Sequence, residues 1–556
     1  MEDWTEHIKK REKVLESLRA KWSSSLEIII EKDVPIPMRD GLKLAADIYR
    51  PKKPGKYPVI MTFTAYGKDW FWSERHPGWK MGYEPWSPTN TGSITFEAPD
   101  PAFWVPYGYV VIIVDARGFG RSPGTPVAKI PLGFDDILRR GMWARDMYDA
   151  IEWGAMQEWS NGNVGLSGVS LLAFSQYRVA ALHPPHLKAI NPWEGFTDYY
   201  RDIAAPGGVE EIRFSDPSGR IASLVAPHNP AWPPPENESP PEPDPREEDE
   251  FLSQITVPTL ICATWSDHGC HTRGAFRAWR KISSRYKWLY IHGRAKWAEY
   301  YSTEARMFQK MFFDCFLKGT DDRILRIPRV RMEVRETLDR YYVRWEDDFP
   351  IPRTRYVKLY LDASDGKLKF EKSYKESKAS YDSAGGKATF DFKFGQDTEL
   401  IGYMSLKLWV SPEETDDMDL FITIRKLDVS GKEVYFDGTT PSPLKYPVAF
   451  GWLRLSHREI DEEKSTPWEP YLKHVVGPGQ KVKPGEIVSC QIPILPSGTL
   501  FRKNETLRLE VAGTYRGGED LSDTIVPFEY KTVNKGKHTI YTGGKYDSYL
   551  LIPLVT

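Results

Sequence analysis

Residues 163–173 read Asn-Val-Gly-Leu-Ser-Gly-Val-Ser-Leu-Leu-Ala, a short strand that runs into a helix with small residues at the junction. A nucleophile elbow needs this pattern, because its serine has a strained backbone angle and its neighbours must let strand and helix approach closely. The turn lifts the serine oxygen clear of the sheet, and the first N–H groups of the helix point at a developing oxyanion. The stretch therefore predicts a nucleophilic serine on a strand-turn-helix elbow.

Two serines of this stretch compete for that role. Ser170 has small residues two positions before and three positions after it, and the helical run follows it directly. Ser167 also has a glycine two positions before it, but bulky Val169 two positions after it. We therefore predict Ser170, although Leu172 departs from a strict Gly-x-Ser-x-Gly pattern. The structural alternative is a glycine-rich strand end without a catalytic role.

The regions around the elbow have the pattern of an α/β fold. The apolar run Tyr109–Val114 is typical of a strand buried on both faces of a parallel sheet. Helical patterns and further strand-like runs alternate with it along the chain, at 59–64, 141–153, 171–182, 259–263 and 288–291. The predicted fold class is therefore α/β, of the α/β-hydrolase type.

Changes in patterning divide the chain into four parts. Residues 1–25 form an amphipathic pattern and predict an N-terminal helix, while 26–192 and 256–345 form the α/β-hydrolase body. Residues 193–255 interrupt the body and predict a helical cap followed by an acidic, proline-rich loop. In residues 346–556, strand-like runs are separated by Gly, Pro, Asp and Asn, which predicts a C-terminal β-sandwich, a jelly roll.

Composition restricts the classes of function. The chain has 556 residues, 40% hydrophobic and 27% charged, with a net charge of −2, which is typical of a globular protein. No basic field is present to bind nucleic acid or an anionic membrane, and no run of 18 apolar residues predicts a membrane span. The first residues lack the apolar core of a signal peptide, so we expect a cytoplasmic protein. The four cysteines form no metal-binding pattern, and we expect neither a metal nor an organic cofactor.

Four segments, in order along the chain, carry a family resemblance. Met38–Gly41 and Asp47–Pro51 are similar to an opening hairpin, Asp115–Gly124 to an Asp-x-Arg-Gly-x-Gly-x-Ser-x-Gly loop, and Gly168–Ala173 to a serine elbow. Together with the β-rich last third, they resemble the CocE/NonD hydrolases, the family of cocaine esterase and X-Pro dipeptidyl-peptidases. The resemblance covers nearly the whole chain.

The resemblance implies roles for three further residues. Tyr66, after the strand at 59–64, would donate its hydroxyl to the oxyanion, together with the backbone N–H of Leu171. Asp267, in a Trp-Ser-Asp sequence after a later strand, would be the acid that orients the histidine. The structural alternatives are a core tyrosine and an ordinary turn aspartate.

The histidine does not follow the family pattern. The family places it in the loop after the next strand, where residues 292–299 read His-Gly-Arg-Ala-Lys-Trp-Ala-Glu, with no histidine at the expected offset near Ala295 or Lys296. We predict that His292 serves as the base from a shifted loop. Two alternatives stay open: His271 or His268, shortly after the acid, could reach in, or the base is absent or substituted.

These residues predict a serine hydrolase that cleaves a small-molecule carboxylic ester, or an amide, through an acyl-enzyme on Ser170. Trp193 and Glu194, which begin the cap, are candidates for substrate binding, with structural capping as the equal alternative. The N-terminal helix and the C-terminal domain offer surfaces for a homodimer.

Two rival functions stay open. An X-Pro or α-amino-acid-ester type of activity needs a carboxylate that anchors an amine, and Glu194, Asp198 and Asp202 are candidates for it. A non-hydrolytic cyclase, lyase or isomerase of small-molecule biosynthesis is favoured by the absent histidine, because the fold alone does not determine function.

Overall fold

The computed structural model describes residues 27–69, 95–124, 141–214, 250–438, 446–474, 479–515 and 528–555. The predicted N-terminal helix lies outside the described residues, as does most of the predicted cap and its acidic, proline-rich loop. No helix of the described residues is long and apolar enough to cross a membrane.

The described residues up to 346 form a sheet and flanking helices. The strands of these residues are β1 (Ile28–Pro37), β2 (Lys43–Pro51), β3 (Tyr57–Thr64), β4 (Val110–Asp115), β5 (Ser160–Val169), β6 (Leu187–Trp193), β7 (Glu210–Glu211), β8 (Thr259–Thr264), β9 (Lys287–His292), β10 (Val330–Arg335) and β11 (Tyr341–Glu346), and all but β7 belong to this sheet. Its helices are α1 (Pro101–Trp104), α2 (Met142–Ala155), α3 (Leu171–Ala180), α4 (Thr272–Lys281), α5 (Lys296–Tyr300) and α6 (Thr303–Phe313). Short 3₁₀ or π turns lie at Val105–Tyr107, Tyr200–Ala204, Pro206–Gly208, Glu250–Gln254, Asp314–Lys318 and Arg323–Arg326.

The sheet of the body is mostly parallel. Its strands lie in the order β1-β2-β4-β3-β5-β6-β8-β9-β10-β11, and neighbours from β4 to β10 are parallel. Every residue of β4 and of β8 is buried, because helices cover both faces of such a sheet. The carboxyl ends of β3, β5, β6, β8 and β9 therefore meet along one edge, which is where ligands bind in this class of sheet.

Between β6 and β8, the described residues form only short elements. A π-helical turn, a 3₁₀ turn and β7 follow one another, and β7 pairs with β22 (Tyr530–Lys531) of the C-terminal domain. The described part of the insertion therefore docks on the C-terminal domain through main-chain hydrogen bonds.

The C-terminal domain is β-rich. Besides β22, its strands are β12 (Arg355–Asp362), β13 (Lys367–Lys369), β14 (Ser377–Asp382), β15 (Lys387–Lys393), β16 (Thr398–Pro412), β17 (Asp419–Leu427), β18 (Glu433–Val434), β19 (Ala449–Arg454), β20 (Val488–Phe501), β21 (Thr506–Ala512), β23 (Lys537–Thr542) and β24 (Tyr549–Val555), with a 3₁₀ turn at Leu455–His457. The long pairs β16–β20 and β17–β21 are antiparallel. These strands enclose an apolar core of their own, separate from that of the body.

The two domains meet beside the carboxyl end of β8. Trp265, directly after β8, is fully buried and donates its indole N–H to the carbonyl oxygen of Glu333 at 2.7 Å. A Cβ on Gly498 of β20 would lie 3.0 Å from the Trp265 ring, so only glycine permits this approach. The C-terminal domain thus packs directly against the segment that follows β8.

Candidate active site

Ser170 lies on a strained turn between β5 and α3. Its φ and ψ angles are 59° and −115°, and its N–H donates to the carbonyl oxygen of Trp193 at 3.0 Å. A Cβ on Gly168 would lie 2.7 Å from Cβ of Leu172, and a Cβ on Gly195 would lie 3.1 Å from that of Ala173. Close packing therefore explains why small residues flank the serine, as an elbow requires.

A histidine contacts this serine, and it is His271. Its Nε2 lies 2.9 Å from Oγ of Ser170, and its Nδ1 lies 2.5 Å from Oδ2 of Asp267. If the serine hydroxyl donates to Nε2, then Nδ1 carries the proton and donates to the carboxylate. The three side chains have the hydrogen-bond order of a Ser-His-Asp triad.

Asp267 and His271 come from the same turn. The N–H groups of His271 and Thr272 both donate to the carbonyl oxygen of Asp267, at 3.1 and 3.0 Å, so residues 267–271 form a helical turn that leads into α4. Residues four apart lie on the same face of such a turn. The acid can therefore orient a histidine from its own loop.

Lys296 occupies the place where the family pattern expects the histidine. Its Nζ lies 2.8 Å from Oδ2 of Asp267 and 3.0 Å from Nδ1 of His271, and its side chain is buried. Burial would raise the pKa of Asp267, but Lys296 and then His271 hold that pKa below its usual range. In turn Asp267, Glu194 and Glu97 raise the pKa of Lys296 although burial opposes them, so the lysine remains an ammonium ion.

His292, our prediction for the base, is placed elsewhere. Its Nε2 lies 3.0 Å from Oε1 of Glu194, and its Nδ1 accepts the N–H of Arg294 at 3.3 Å. The ring is fully buried at the end of β9, and both of its nitrogens have partners. The prediction that His292 is the base at the serine is wrong, because its ring is hydrogen-bonded to Glu194, whereas His271 contacts Ser170. Of the alternatives left open by the sequence, His271 is the one that meets the serine.

His268, the other histidine near the acid, faces away from the serine. Its ring packs edge-on against Phe450 of the C-terminal domain, with ring centres 5.4 Å apart. Burial lowers the pKa of His268 to about 3, so it is neutral.

Tyr66 and Leu171, the two predicted oxyanion donors, both lie next to Ser170. Leu171 is the first residue of α3, so its N–H has no acceptor within the helix. The Tyr66 hydroxyl interacts with both Ser170 and the carboxylate of Glu97. Burial and Glu97 raise the pKa of Tyr66 well above its ordinary value, so the phenol keeps the proton that it would donate.

Glu97 is a residue of this site that the sequence did not indicate. Its φ is 62°, and its carbonyl oxygen accepts the N–H of Val169 at 3.1 Å. Trp297 donates its indole N–H to Oε1 at 3.1 Å, while Oε2 is buried without a hydrogen-bond partner among the described residues. Burial raises the pKa of Glu97 to about 8. No pattern near Glu97 pointed to the site, because the link to Tyr66 and the elbow arises only through tertiary packing.

The two predicted substrate-binding residues are buried next to the elbow, where the carbonyl oxygen of Trp193 accepts the N–H of Ser170. Trp193 is fully buried against Tyr290 and Tyr300, with ring centres 5.3 and 5.4 Å apart, and Glu194 is also buried beside His292. Neither side chain presents an accessible surface to a ligand in this structure. The structural alternative for this pair therefore fits, and the prediction of substrate binding is corrected.

The other two candidate amine anchors are paired within the protein. Asp198 accepts from Arg201 at 2.8 Å, and Asp202 accepts from Arg277 at 3.0 Å. With Glu194 held by His292, each of the three carboxylates already has a partner of its own.

Two groups of buried side chains have potential metal-ligand atoms close together. One consists of Glu194, Cys262 and His292, and the other of Glu194, Asp267 and His271. The ammonium of Lys296 already supplies a positive charge at Asp267, and burial raises the pKa of Cys262 well above its usual range, which keeps the thiol protonated. Neither group therefore has the chemistry of a ready metal site.

Fold and site together define the class of the protein: it is a serine hydrolase of the α/β-hydrolase type. The model of the S15 family, X-Pro dipeptidyl-peptidase, matches residues 40–239, and the model of the X-Pro dipeptidyl-peptidase C-terminal non-catalytic domain matches residues 323–551. A solved structure of a CocE/NonD family hydrolase from Staphylococcus aureus is 41% identical, with a TM-score of 0.84 and coverage of 95% of this chain and 94% of that one. The chain belongs to the CocE/NonD family of hydrolases.

Two further proteins are similar to the chain over nearly its whole length. The cocaine esterase of Rhodococcus sp. (strain MB1 Bresler) is 24% identical, over 95% of this chain and 98% of its own length. The structure of an α-amino acid ester hydrolase is 18% identical with a TM-score of 0.66, covering 95% of this chain and 97% of that one, which shows the shared fold. The resemblance seen in the sequence is thus confirmed, and the protein is an enzyme that hydrolyses esters or amides.

Proposed function

We propose that the protein hydrolyses a small-molecule carboxylic ester through an acyl-enzyme on Ser170, with His271 as general base and Asp267 as the acid that orients it. One observation carries this proposal: the hydroxyl of Ser170 lies 2.9 Å from Nε2 of His271, whose other nitrogen lies 2.5 Å from Asp267.

The chemistry follows from these contacts. Oγ of Ser170 attacks the carbonyl carbon while its proton passes to Nε2 of His271. The Tyr66 hydroxyl and the Leu171 N–H donate hydrogen bonds to the oxyanion of the tetrahedral intermediate. His271 then gives the proton to the leaving alcohol, and a water molecule, activated in the same way, releases the acid. Amides could follow the same path with an amine as the leaving group.

The rival chemistries have less support. The case for a non-hydrolytic enzyme depended on a missing base, and His271 removes that argument. An activity of the X-Pro or α-amino-acid-ester type needs a free carboxylate for the amine, but Asp198 and Asp202 are paired with arginines. Oε2 of Glu194 has no hydrogen-bond partner among the described residues, but Oε1 is bonded to His292, and the ammonium of Lys296 already acts on this carboxylate as a positive charge. We therefore favour an ester without a free α-amine as the substrate.

Covalent labelling tests the nucleophile. A fluorophosphonate probe should modify the purified protein, and mass spectrometry of its peptides should find the adduct on Ser170. The S170A variant should lose both the adduct and the hydrolysis of 4-nitrophenyl esters, and S167A, which changes the neighbouring buried serine, should keep the adduct. An adduct on another residue, or full turnover by S170A, would contradict the proposal.

Three further proposals concern organisation and location. We propose that the domain boundaries lie where the sequence places them, with the body at 26–192 and 256–345, the insertion at 193–255 and the C-terminal domain at 346–556. A jelly-roll topology for that domain, and a helical cap formed by the insertion, belong to the same proposal. We also propose a cytoplasmic location and a homodimer, both motivated by the sequence alone, and size-exclusion chromatography with light scattering tests the stoichiometry.

A further inference from the structure

A cluster of aromatic side chains from the C-terminal domain faces the catalytic turn. This aromatic cluster consists of Phe421, Phe450, Trp452, Tyr515 and Tyr530. The centre of each ring lies within 6.4 Å of the centre of at least two others. Phe528, on the same side, fills the space next to Gly269, where a Cβ would lie 2.4 Å from the Phe528 ring. Phe450 of the cluster packs against His268 at 5.4 Å between ring centres, so the cluster contacts residues 267–271, which carry the acid and the base.

Arg273 extends from the catalytic turn toward this cluster. It is the second residue of α4, two positions after the catalytic His271, and its side chain is half-buried. Its guanidinium carbon lies 6.0 Å from the centre of the Trp452 ring, and its Nη1 donates to the carbonyl oxygen of Arg201 at 2.5 Å. The head group thus lies between the insertion and the aromatic cluster.

The neighbouring arginines are each neutralised, whereas Arg273 is not. The ion pairs of this region are Arg201 with Asp198, Arg277 with Asp202, and Arg280 with Glu469. Among the residues that the structure describes, no carboxylate lies within ion-pair distance of Arg273. Arg273 is half-buried, and burial lowers its pKa although the charges of Asp202 and Glu469 oppose this effect.

Two neighbouring donors also lack acceptors. Trp452 is 2% exposed and its Nε1 is buried without a partner in the described part of the chain, and the same holds for the hydroxyl of Tyr530. Burial and the carboxylate of Glu211 raise the pKa of Tyr530, and Arg273 opposes them, so both charged groups act on this hydroxyl. A buried donor without an acceptor costs free energy. An acceptor that reached these donors and Arg273 would remove that cost, and a negatively charged acceptor would also neutralise the guanidinium.

We infer that Arg273, with Trp452 and Tyr530, forms a subsite for a carboxylate carried by the substrate of Ser170. The guanidinium fork matches the geometry of a carboxylate, and an aromatic wall excludes the water that would weaken the contact. The aromatic rings alone could hold a cation, but Arg273 already lies over the Trp452 ring and repels a second positive charge. The inference rests on the proposed ester hydrolysis and adds to it a substrate class, esters of organic acids that carry a second, anionic group.

A matched series of esters tests this subsite. The series consists of 4-nitrophenyl pentanoate, mono-4-nitrophenyl glutarate, and a 4-nitrophenyl ester with a terminal trimethylammonium group, with phenyl and 3-carboxyphenyl butyrate to place the anion on the leaving group instead. We expect kcat/KM for one of the two anionic positions to exceed that of its neutral partner. The R273Q variant should lower this ratio by about 10- to 100-fold, as expected for the loss of a hydrogen-bonded charge, and R273K should keep part of it.

A charge control and a binding measurement complete the experiment. Arg285 is exposed and packs only on Tyr286 among the described residues, so R285Q should leave both the ratio and the basal activity unchanged. Thermal unfolding of each variant shows whether it is folded. Binding of glutarate to S170A, compared with S170A/R273Q by calorimetry, reports on the subsite without any turnover.

The outcomes separate the two proposals. If no ester is hydrolysed but glutarate binds to S170A in an Arg273-dependent way, the proposed function fails and the subsite stands. If esters are hydrolysed with equal kcat/KM for anionic and neutral forms at both positions, the subsite is overturned and the function stands. A preference for anions that R273Q leaves intact also overturns it.

Discussion

The serine and its base are held in the site by different kinds of interaction. Ser170 is fixed by the backbone: its N–H bonds to Trp193, its neighbour Val169 bonds to Glu97, and glycines permit the close packing of strand and helix. Asp267 and His271 are held instead by side-chain charge, in a buried cluster with Lys296. Backbone hydrogen bonds and close packing thus position the nucleophile, whereas the arrangement of the base and the acid depends on a balance of charges.

This difference explains how the base can come from an unusual place. Two loops flank the carboxylate of Asp267, the turn after β8 and the loop after β9. Here the first supplies His271 and the second supplies Lys296, both within 3.0 Å of a partner in the triad. A carboxylate can orient a histidine from either side, so the base may change loops while the elbow and the acid stay where they are.

The largest expected effect comes from removing each of the two histidines in turn. The H271A variant should lose roughly 10⁴- to 10⁶-fold in kcat, as triad knockouts do, because Ser170 then lacks a base. The H292N variant, which can still donate a hydrogen bond to Glu194, should keep kcat within about tenfold if it folds, since second-layer polar substitutions act indirectly. Steady-state kinetics with a 4-nitrophenyl ester measures both.

Circular dichroism and thermal unfolding serve as controls for that comparison, because a buried Glu194 without its partner destabilises the fold. The reverse ranking, with H292N inactive and H271A active, would contradict the assignment of the base.

The next effect concerns the elbow side of the site. The Y66F variant removes the phenol donor but keeps the ring packed edge-on against Phe96, 4.9 Å away. Loss of one oxyanion donor costs roughly 10²- to 10³-fold in kcat, with little change in KM, because the contact forms only in the transition state. A KM effect with unchanged kcat would show that Tyr66 binds substrate and does not stabilise the oxyanion. The buried tyrosine Tyr177, changed to Phe, is the matched control.

The elbow and the acid could be predicted from the sequence because their signals are local. The run from Gly168 to Ala173 indicates both the turn and its close packing, and Asp267 lies three residues after an apolar strand, in the Trp-Ser-Asp sequence that the family resemblance marks. The strands of the parallel sheet were likewise accessible, because buried parallel strands are continuous apolar runs.

The base could not be assigned because the choice between His271 and His292 depends on which ring the fold turns toward Ser170. A spacing of four residues between Asp267 and His271, directly before the helical pattern of α4, was the available signal, and it was outweighed by the family's usual loop order. Glu97 and Arg273 show the same limit, since their partners lie far away in the sequence and meet them only in the folded chain.

Lys296 provides a smaller, pH-dependent test of the charge balance. In the wild type, Lys296 and His271 hold the pKa of Asp267 low, so the carboxylate remains ionised as the pH falls. In K296M, the positive charge that opposes the effect of burial on Asp267 is lost, so the pKa of Asp267 rises. The acid limb of kcat should therefore move to higher pH. An upward shift of about one unit lowers kcat about tenfold on the acid side, with little change at pH 9.

A second lysine provides the control for that shift. Lys369 pairs with Asp362 at 2.8 Å in the C-terminal domain, and K369M should leave the pH profile in place. The idea that Lys296 supports the acid would be abandoned if K296M shifted the limb to lower pH, or did not move it.

The smallest effect is expected at Glu97, and it is confined to alkaline pH. Burial raises the pKa of Glu97 to about 8, so the carboxyl is neutral below that pH and ionises as the pH rises through it. An ionised Glu97 beside Tyr66 would oppose the negative charge of the oxyanion, so kcat should fall above pH 8, by about tenfold at pH 9 if only the neutral form is active. The E97Q variant keeps a neutral side chain at every pH, and its profile should stay flat there, with less than about a twofold change at pH 7. A wild-type profile without an alkaline limb, or a limb that persists in E97Q, would show that the oxyanion is insulated from this carboxylate, and that the elbow side of the site depends on geometry alone.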